Sequence, residues 1–524
     1  MTGAATVTVR EAVLDLLRAF GMTTVFGNPG STELPMFRDF PADFRYVLGL
    51  QESIVVGMAD GYAQATRRAA LVNLHSAAGV GHAMGNLFTA YKNRTPLVVT
   101  AGQQARAILP YEPFLFSREA TELPKPYVKW SCEPARAGDV PHAIARAYYQ
   151  AMQPPQGPTF VSIPVDDWDR ETVPLAPRQV STVLRPDPAM LAATGDALDR
   201  ARRPALVVGA AVDRDDAAGL AVRLAERHEA LVWVSPMSAR CGFPERHPLF
   251  AGFLPAAREG IAELLAGHDV VLALGAAVFT YHTEGGGPFL RDGTTLFQVT
   301  DDPDAAAWLP VGTSIQATPR LALGDLLDRP PPRSRARPNG RPPPPRVEPG
   351  NPIPVAYLMQ TLSELRGEDS VIVEEAPSSR PAMQAYLPIV RPGTFYTCAS
   401  GGLGHGLPAA VGVALARPGQ RVIALLGDGS ALYAIQGLWS AAQLGLPITF
   451  LIVRNGRYEA LHAFGRHFGL PKLVGTALPE VDFVALARGQ GCEGVRVARA
   501  EALEEALRRA LRAERPYVVE VVTE

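Results

Sequence analysis

Short β-branched or leucine-rich runs alternate with amphipathic stretches along the whole chain, the pattern of a parallel α/β architecture. Thr8 is placed to cap a first helix that gathers Ala12, Val13, Leu16, Leu17 and Phe20 on one face. Apolar runs predict strands over 46–50, 70–74, 96–101 and 160–164, with helical stretches between most of them. A middle block predicts strands over 205–209, 231–235, 270–274 and 295–299. A last block predicts strands over 371–374, 421–426, 448–453 and 517–522.

The periodic pattern lapses twice. Residues 330–354 hold eleven prolines and five arginines, with Glu348 the only acid. Such a run favours extended polyproline conformation and cannot pack as a core. It also suits an SH3-type ligand, but its place between two α/β blocks favours a domain linker. A softer boundary falls over 174–187, where Pro, Arg, Ser and Thr replace the periodicity. The expected organisation is therefore a domain over 1–178, a central domain over 186–329, the linker over 330–354 and a domain over 355–524.

Composition narrows the function classes. A chain of 524 residues buries large cores without disulfide or metal staples. Lys+Arg 50 against Asp+Glu 52 lacks the basic excess of a general nucleic-acid binder. Cys132, Cys241, Cys398 and Cys492 form no Cys-x-x-Cys pair, which points away from zinc knuckles and toward a reducing compartment. Two long stretches, 69–91 and 392–416, carry no charged residue. The first contains Asn73, His75, Ser76, His82 and Asn86 and the second six glycines, so neither would sit in hydrocarbon. The expectation is a cytoplasmic protein with neither a membrane nor a nucleic acid as partner.

In open parallel sheets, ligands bind beyond the carboxyl ends of the strands. Glu52, His75, Asp428 and Asn455 stand at the ends of apolar runs, and His282 lies near the end of another. In Gly427-Asp428-Gly429-Ser430, the glycines let backbone approach a phosphate and the aspartate offers a hard oxygen to Mg²⁺. Gly-Asp-Gly is also an ordinary tight turn; Asn455 at the end of the next strand shifts the balance toward a metal site. Gly401, Gly402, Gly404 and Gly406 allow a ligand to lie on the backbone, while close helix packing equally accounts for Gly404 and Gly406. Glu374 and Glu375, adjacent on a strand, point to opposite faces and do not share a proton. His82, His142, His405, His462 and His467 are read as surface or satisfied core residues, and Phe114, Trp439 and Phe464 are open to a core reading.

Taken together, the segments identify a family resemblance. FGNPGSTELP (26–35), LQESIVVGMADGYAQAT (50–66), NLHSAAGVGHAMGNL (73–87), PLVVTAGQQ (96–104), KWSCEPA (129–135), PVDDWD (164–169), GGLGHGLPAAVGVALA (401–416) and Gly427-Asp428-Gly429 with Asn455-Gly456 resemble thiamin-diphosphate-dependent 2-keto acid decarboxylases. HSAAG and GNPGS narrow the likeness to the benzoylformate branch. The resemblance implies three α/β domains: a pyrimidine-binding one, a central structural one and a diphosphate-binding one. It also implies a homo-oligomer, a dimer at least and typically a tetramer, with each active site formed between two subunits. Glu52 would hydrogen-bond the cofactor's pyrimidine N1′, Leu403 would prop its bent shape and the Gly401 carbonyl would accept from its 4′-amino group. Gly427, Asp428, Gly429, Ser430 and Asn455 would bind the diphosphate end. Asp428, Asn455 and the Arg457 carbonyl would ligate Mg²⁺. His75 and His282 would exchange protons, and Ser31 would hold the substrate carboxylate.

The implied substrate is a small 2-keto acid with an aryl group. Phe114, Leu115, Ala460, Leu461 and Phe464 would line an apolar slot for the ring. Departures touch this slot: Thr397 stands where an aromatic is expected, Pro377 where a hydroxyl residue is expected, and Glu459 where a glycine is expected. Arg454 replaces the first of two asparagines. The implied activity is non-oxidative decarboxylation to an aldehyde. A carboligase or aldehyde lyase, a decarboxylase of longer aryl 2-keto acids, and a catalytically silent binding subunit are the alternatives. The His75 and His282 pair favours the decarboxylase.

Overall fold

The computed structural model describes residues 6–524; the first five residues of the expected N-terminal domain lie outside the described residues. Its framework is three six-stranded parallel sheets, with a two-stranded antiparallel ladder between Val7–Thr8 and Glu171–Thr172. Thr8 caps the Val9–Ala19 helix as its sequence predicts. Its hydroxyl accepts from Glu11 N at 3.2 Å, and the Glu11 carboxylate accepts from Thr8 N at 2.8 Å.

The first sheet runs Arg45–Leu48, Thr24–Gly27, Ala70–Leu74, Leu97–Gln103, Thr159–Pro164 and Ser131–Cys132 across its width. The last runs Phe395–Thr397, Val371–Glu375, Val422–Gly427, Ile448–Arg454, Tyr517–Val522 and Glu493–Val497. Numbered in chain order within each sheet, both read 2-1-3-4-6-5. The central sheet, built on Pro204–Val208, reads 3-2-1-4-5-6. All ladders within these three sheets are parallel.

A 2-1-3 order reverses direction between strands 1 and 3, which opens a crevice beyond their carboxyl ends. The first sheet places the 28–31 loop and His75 there. The last places residues 376–379 and Asp428 there. The fold thus has two equivalent crevices, one in each terminal domain.

The terminal domains share a core through two helices. The Glu52–Thr66 helix crosses the Gly406–Ala416 helix so closely that a Cβ on Gly412 would stand 1.9 Å from the Met58 carbonyl oxygen. Glycine alone permits that approach. Val55, Ala59, Ala63, Ala409 and Val413 join one apolar cluster across this contact.

The sequence pattern misses the antiparallel pair Val7–Thr8 and Glu171–Thr172 and six strands of the three large sheets. Ser131–Cys132, Phe250–Phe253, Thr313–Gln316, Phe395–Thr397 and Glu493–Val497 are all sheet edges, while Thr24–Gly27 is internal but four residues long. The proline-rich stretch carries no helix or strand; its first half lies along the central domain, and Arg341, Arg346 and Val347 bond to Gln384, Glu364 and Gln360 of the C-terminal domain. Arg335 donates to the carbonyls of Leu198, Asp199, Ala201 and His228, and Arg337 pairs with Glu229 at 2.7 Å. Among the described residues no helix is long and apolar enough to cross a membrane.

Candidate active site

The N-terminal crevice is built around the Ser76–Lys92 helix, whose N-cap is His75. His75 Nδ1 meets Glu33 Oε2 at 2.9 Å, and the Glu33 side chain is fully buried. Glu33 also accepts from Gly30 N at 2.9 Å, Gly102 N at 2.8 Å and the Thr32 hydroxyl at 2.7 Å. A carboxylate so fully occupied cannot turn, so it fixes both the position of the imidazole and the proton on Nδ1. Gly30 makes room: a Cβ there would fall 2.1 Å from His75 Nδ1. Backbone strain marks the same place, since Ser76 has φ 48° and Leu115 φ 63°. The Ser76 hydroxyl donates to the Leu115 carbonyl at 2.6 Å, tying the two strained residues together.

Glu52 opens the neighbouring Glu52–Thr66 helix, capped by the Gln51 side chain on Ser53 N at 2.7 Å. The Glu52 carboxylate is almost buried. Asn28 Nδ2 donates to its Oε1 at 3.3 Å, and His82 Nδ1 lies 3.1 Å from its Oε2. Ser31 is exposed on the loop leaving Thr24–Gly27, and Phe114 is 87% exposed, which excludes a core role for it. Glu52 and His75 meet beside Gly79 and Leu115 is tied to Ser76, while Ser31 stands on the loop that enters the crevice and Phe114 next to Leu115.

In the C-terminal crevice Asp428 follows Val422–Gly427. Gly429 N donates to its Oδ1 at 2.8 Å, and Asn455 N and Gly456 N donate to its Oδ2 at 3.1 and 2.7 Å. Burial nonetheless holds the Asp428 carboxyl above its ordinary range, against the lowering effect of those N–H groups. Asp428 joins no ion pair among the described residues. A buried anion that lacks a cationic partner fits a divalent cation, and Asp428 with Asn455 offers the hard oxygens Mg²⁺ takes. The Asn455 Oδ1 accepts from Arg457 N at 3.2 Å, so the turn that presents the Arg457 carbonyl is held by a proposed ligand. Gly401, Gly402 and Leu403 line the loop before the Gly406–Ala416 helix, with Leu403 half-buried.

Ala460, Leu461 and Phe464 lie on the Glu459–His467 helix, and Pro377 is exposed in the turn after Val371–Glu375. His282, from the central domain, stacks edge-on to Phe464 with ring centroids 4.6 Å apart. Thr397 departs from an open pocket role. Its hydroxyl is engaged with the Glu374 carbonyl at 2.8 Å, the Glu374 carboxylate at 2.7 Å and Arg380 Nη2 at 2.9 Å. It lines a cavity of about 180 Å³ between the central and C-terminal domains. The other departures are compensated. Glu459 pairs with Arg457 and Arg466 at 2.6 and 3.3 Å, and Arg454 pairs with buried Glu520 at 3.0 Å.

Several members escape sequence reading. Glu33 follows no apolar run, and only the fold brings it to His75. His82 contacts Glu52 instead of standing alone on the surface. His405 is a core residue, but a buried one paired with Asp60 across the domain contact. Glu375 accepts from Gly404 N at 2.7 Å, His405 N at 2.8 Å and Gly406 N, while Glu374 faces the other way to Arg380, as adjacent strand residues must. Gly404 and Gly406 are accordingly places of close packing: a Cβ on Gly406 would meet Glu375 Cβ at 2.7 Å.

Three family models match the chain. These are the thiamine pyrophosphate enzyme N-terminal TPP binding domain at 7–122, the central domain at 191–326 and the C-terminal TPP binding domain at 378–521. The benzoylformate decarboxylase of Pseudomonas aeruginosa is 47% identical over 522 residues, covering 99% of both chains. A solved 4-hydroxybenzoylformate decarboxylase from Rhodococcus jostii superposes with TM-score 0.96 at 43% identity, covering 99% of each chain. The benzoylformate decarboxylase structure from Polynucleobacter necessarius gives TM-score 0.95 at 41% identity over 98% of each chain.

Proposed function

The chain belongs to the thiamine pyrophosphate enzyme family, and from that premise we infer a carboxy-lyase that converts an aryl 2-keto acid of the benzoylformate type to an aldehyde and CO₂. The observation that carries this reading is the likeness to a benzoylformate decarboxylase over 99% of both chains. Thiamin diphosphate, when bound, supplies a nucleophilic carbon for the keto group and a sink for the electrons that CO₂ leaves behind. The protein's own part is to hold, orient and move protons.

Asp428, Asn455 and the Arg457 carbonyl would hold Mg²⁺ at the diphosphate end, with Gly427, Gly429 and Ser430 shaping the backbone around it. Gly401 and Leu403 would face the other end. Glu52 is the acid that would exchange a proton with the pyrimidine N1′. Ser31 would hold the substrate carboxylate until it leaves. His75 is oriented by Glu33 with Nδ1 occupied, so Nε2 is the atom available to give or take a proton. His282, packed on Phe464, would serve the second proton transfer that releases the aldehyde. Phe114, Leu115, Ala460, Leu461 and Phe464 would surround the aryl ring and exclude water, with Pro377 and Thr397 beyond them.

Glu52 and Asp428 lie in different terminal domains. Among the described residues, no hydrogen bond links the N-terminal set (Ser31, Glu33, Glu52, His75) to Asp428 or Asn455. The family resemblance implies a site completed by a second copy of the chain, a dimer at least and a tetramer as the expected assembly. The four cysteines are unpaired with one another, which suits a cytoplasmic location. Carboligation of the nascent aldehyde equivalent is the secondary activity this site would support.

The test is aldehyde and CO₂ release from benzoylformate, 4-hydroxybenzoylformate and pyruvate, with aldehyde and CO₂ counted separately. The reading requires equal amounts of both from the aryl acids and a much lower kcat/KM for pyruvate. Turnover confined to pyruvate would replace the aryl acid with an aliphatic one, and CO₂ without free aldehyde would replace the lyase with a carboligase.

A further inference from the structure

One face of the Ser76–Lys92 helix carries two histidine–carboxylate pairs. His75 meets Glu33 at 2.9 Å and His82 meets Glu52 at 3.1 Å, each through Nδ1. Positions 75, 79 and 82 are spaced i, i+4 and i+7, so they form a single stripe. Gly79 lies between the two pairs. A Cβ built on it would stand 3.4 Å from Glu52 Cγ and 3.6 Å from His75 Cβ. Glu52 therefore lies across the bare part of the helix and ends against His82. Its side chain is 11% exposed and that of His82 63%. No lysine or arginine pairs with Glu52 among the described residues; its one ion-pair partner is His82. The other titratable groups on the stripe are His75 and Glu33, which occupy each other. Gln51 Nε2 donates to the His82 carbonyl at 3.4 Å, fixing the backbone there as well.

We propose that His82 is a positioning residue for Glu52, its Nδ1–H donating to Oε2 so that Oε1 is presented to the cofactor's ring nitrogen. This rests on the reading above that Glu52 faces the pyrimidine. A glutamate side chain has three free torsions, and anchoring one oxygen fixes the plane of the other. An Oε1 held in that plane would accept from the protonated ring nitrogen and so favour the protonated ring. The proton on His82 Nδ1 stays where it is throughout.

The geometry separates three variants. In His82→Asn the amide nitrogen stands near the place of Nδ1; in His82→Gln it stands near that of Nε2; His82→Leu keeps bulk and has no donor. Each holoenzyme is read in three ways: thiamin diphosphate affinity by calorimetry, ring protonation of the bound cofactor by near-UV circular dichroism against pH, and kcat. Loss of a hydrogen bond to a charged group costs roughly tenfold or more in kcat for His82→Leu. The midpoint of ring protonation is expected to move down by about one pH unit. His82→Asn is expected to recover most of both losses and His82→Gln little. An unchanged midpoint and kcat in His82→Leu would overturn the proposal. So would equal losses in the Asn and Leu variants at equal melting temperature, because they would show that bulk or burial matters and the Nδ1 donor does not. The protonation midpoint is read without substrate. A wrong substrate assignment would therefore abolish turnover in the wild type and leave this test standing.

Discussion

The three domains meet at a buried polar network, and the two crevices hold buried polar networks of similar composition. At the junction Arg240, 5% exposed, pairs with fully buried Asp213 at 2.9 Å, donates to the Gln64 carbonyl at 2.9 Å and lies 5.1 Å above the Tyr396 ring. The second Asp213 oxygen accepts from Gly393 N at 2.8 Å. N-terminal, central and C-terminal residues all take part, and each charge has its opposite. In the crevices Asp428 is buried among N–H groups alone, and Glu52 leans on a histidine that is mostly exposed. The junction is electrostatically complete, whereas the crevices lack a positive charge at one end and a tightly packed partner at the other. Completeness marks the structural network and the deficit marks the functional one, because a group that must bind a cation or pass a proton cannot already be satisfied.

Substitutions probe that difference, beginning with the largest effect. Glu52→Gln is expected to lower kcat by about 10²–10⁴-fold while leaving the melting temperature nearly unchanged, as steady-state kinetics and calorimetry would show. Arg240→Met does the reverse. It leaves buried Asp213 with Arg67 at 3.8 Å as its one cation and is expected to cost up to about 3–5 kcal/mol in denaturant unfolding, with the activity of the molecules that remain folded largely kept. A loss of activity in step with folding for Glu52→Gln, or a silent Arg240→Met, would erase the distinction.

Glu375 provides an intermediate case with a pH signature. Burial pushes its carboxyl up from 4.5 to about 7, although Gly404, His405 and Gly406 N–H groups oppose the shift. The folded chain thus holds this proton more tightly than the unfolded one. The associated stability is fully present below pH 4.5 and is lost as pH rises through about 7. Gln mimics the neutral acid, so melting temperatures of the wild type and Glu375→Gln should lie close at pH 5 and separate by pH 8, with the wild type the lower; a gap that closes as pH rises would contradict the assignment. The smallest effect belongs to Glu459→Gln. Its pairs with Arg457 and Arg466 involve exposed arginines, so the change in stability should stay below about 1 kcal/mol.

The sequence displays the parallel α/β plan wherever a strand is buried on both faces, because such a strand is a continuous apolar run; 70–74 and 448–453 are examples. Edge strands such as Glu493–Val497 are half exposed and lose that signal. The candidate site is legible where a residue stands at a strand end, as with His75 and Asp428. Glu33 and His82 are invisible by that rule. Glu33 lies in a loop, and His82 lies two turns inside a helix, and each acquires meaning only from the side chain the fold sets against it. Thr397 shows the converse: the resemblance assigns it to the substrate slot, whereas the fold buries it with its hydroxyl engaged by Glu374 and Arg380.

The central claim is that a nearly buried acid, Glu52, held by His82 and Asn28, drives thiamin-diphosphate chemistry on an aryl keto acid. Benzaldehyde formation from benzoylformate, followed before and after adding thiamin diphosphate and Mg²⁺ to the wild type and Glu52→Gln, tests it most directly. The prediction is aldehyde only with cofactor, and a rate at least about 10²-fold lower in the variant. Equal rates in the two proteins, or aldehyde formed without cofactor, would contradict it.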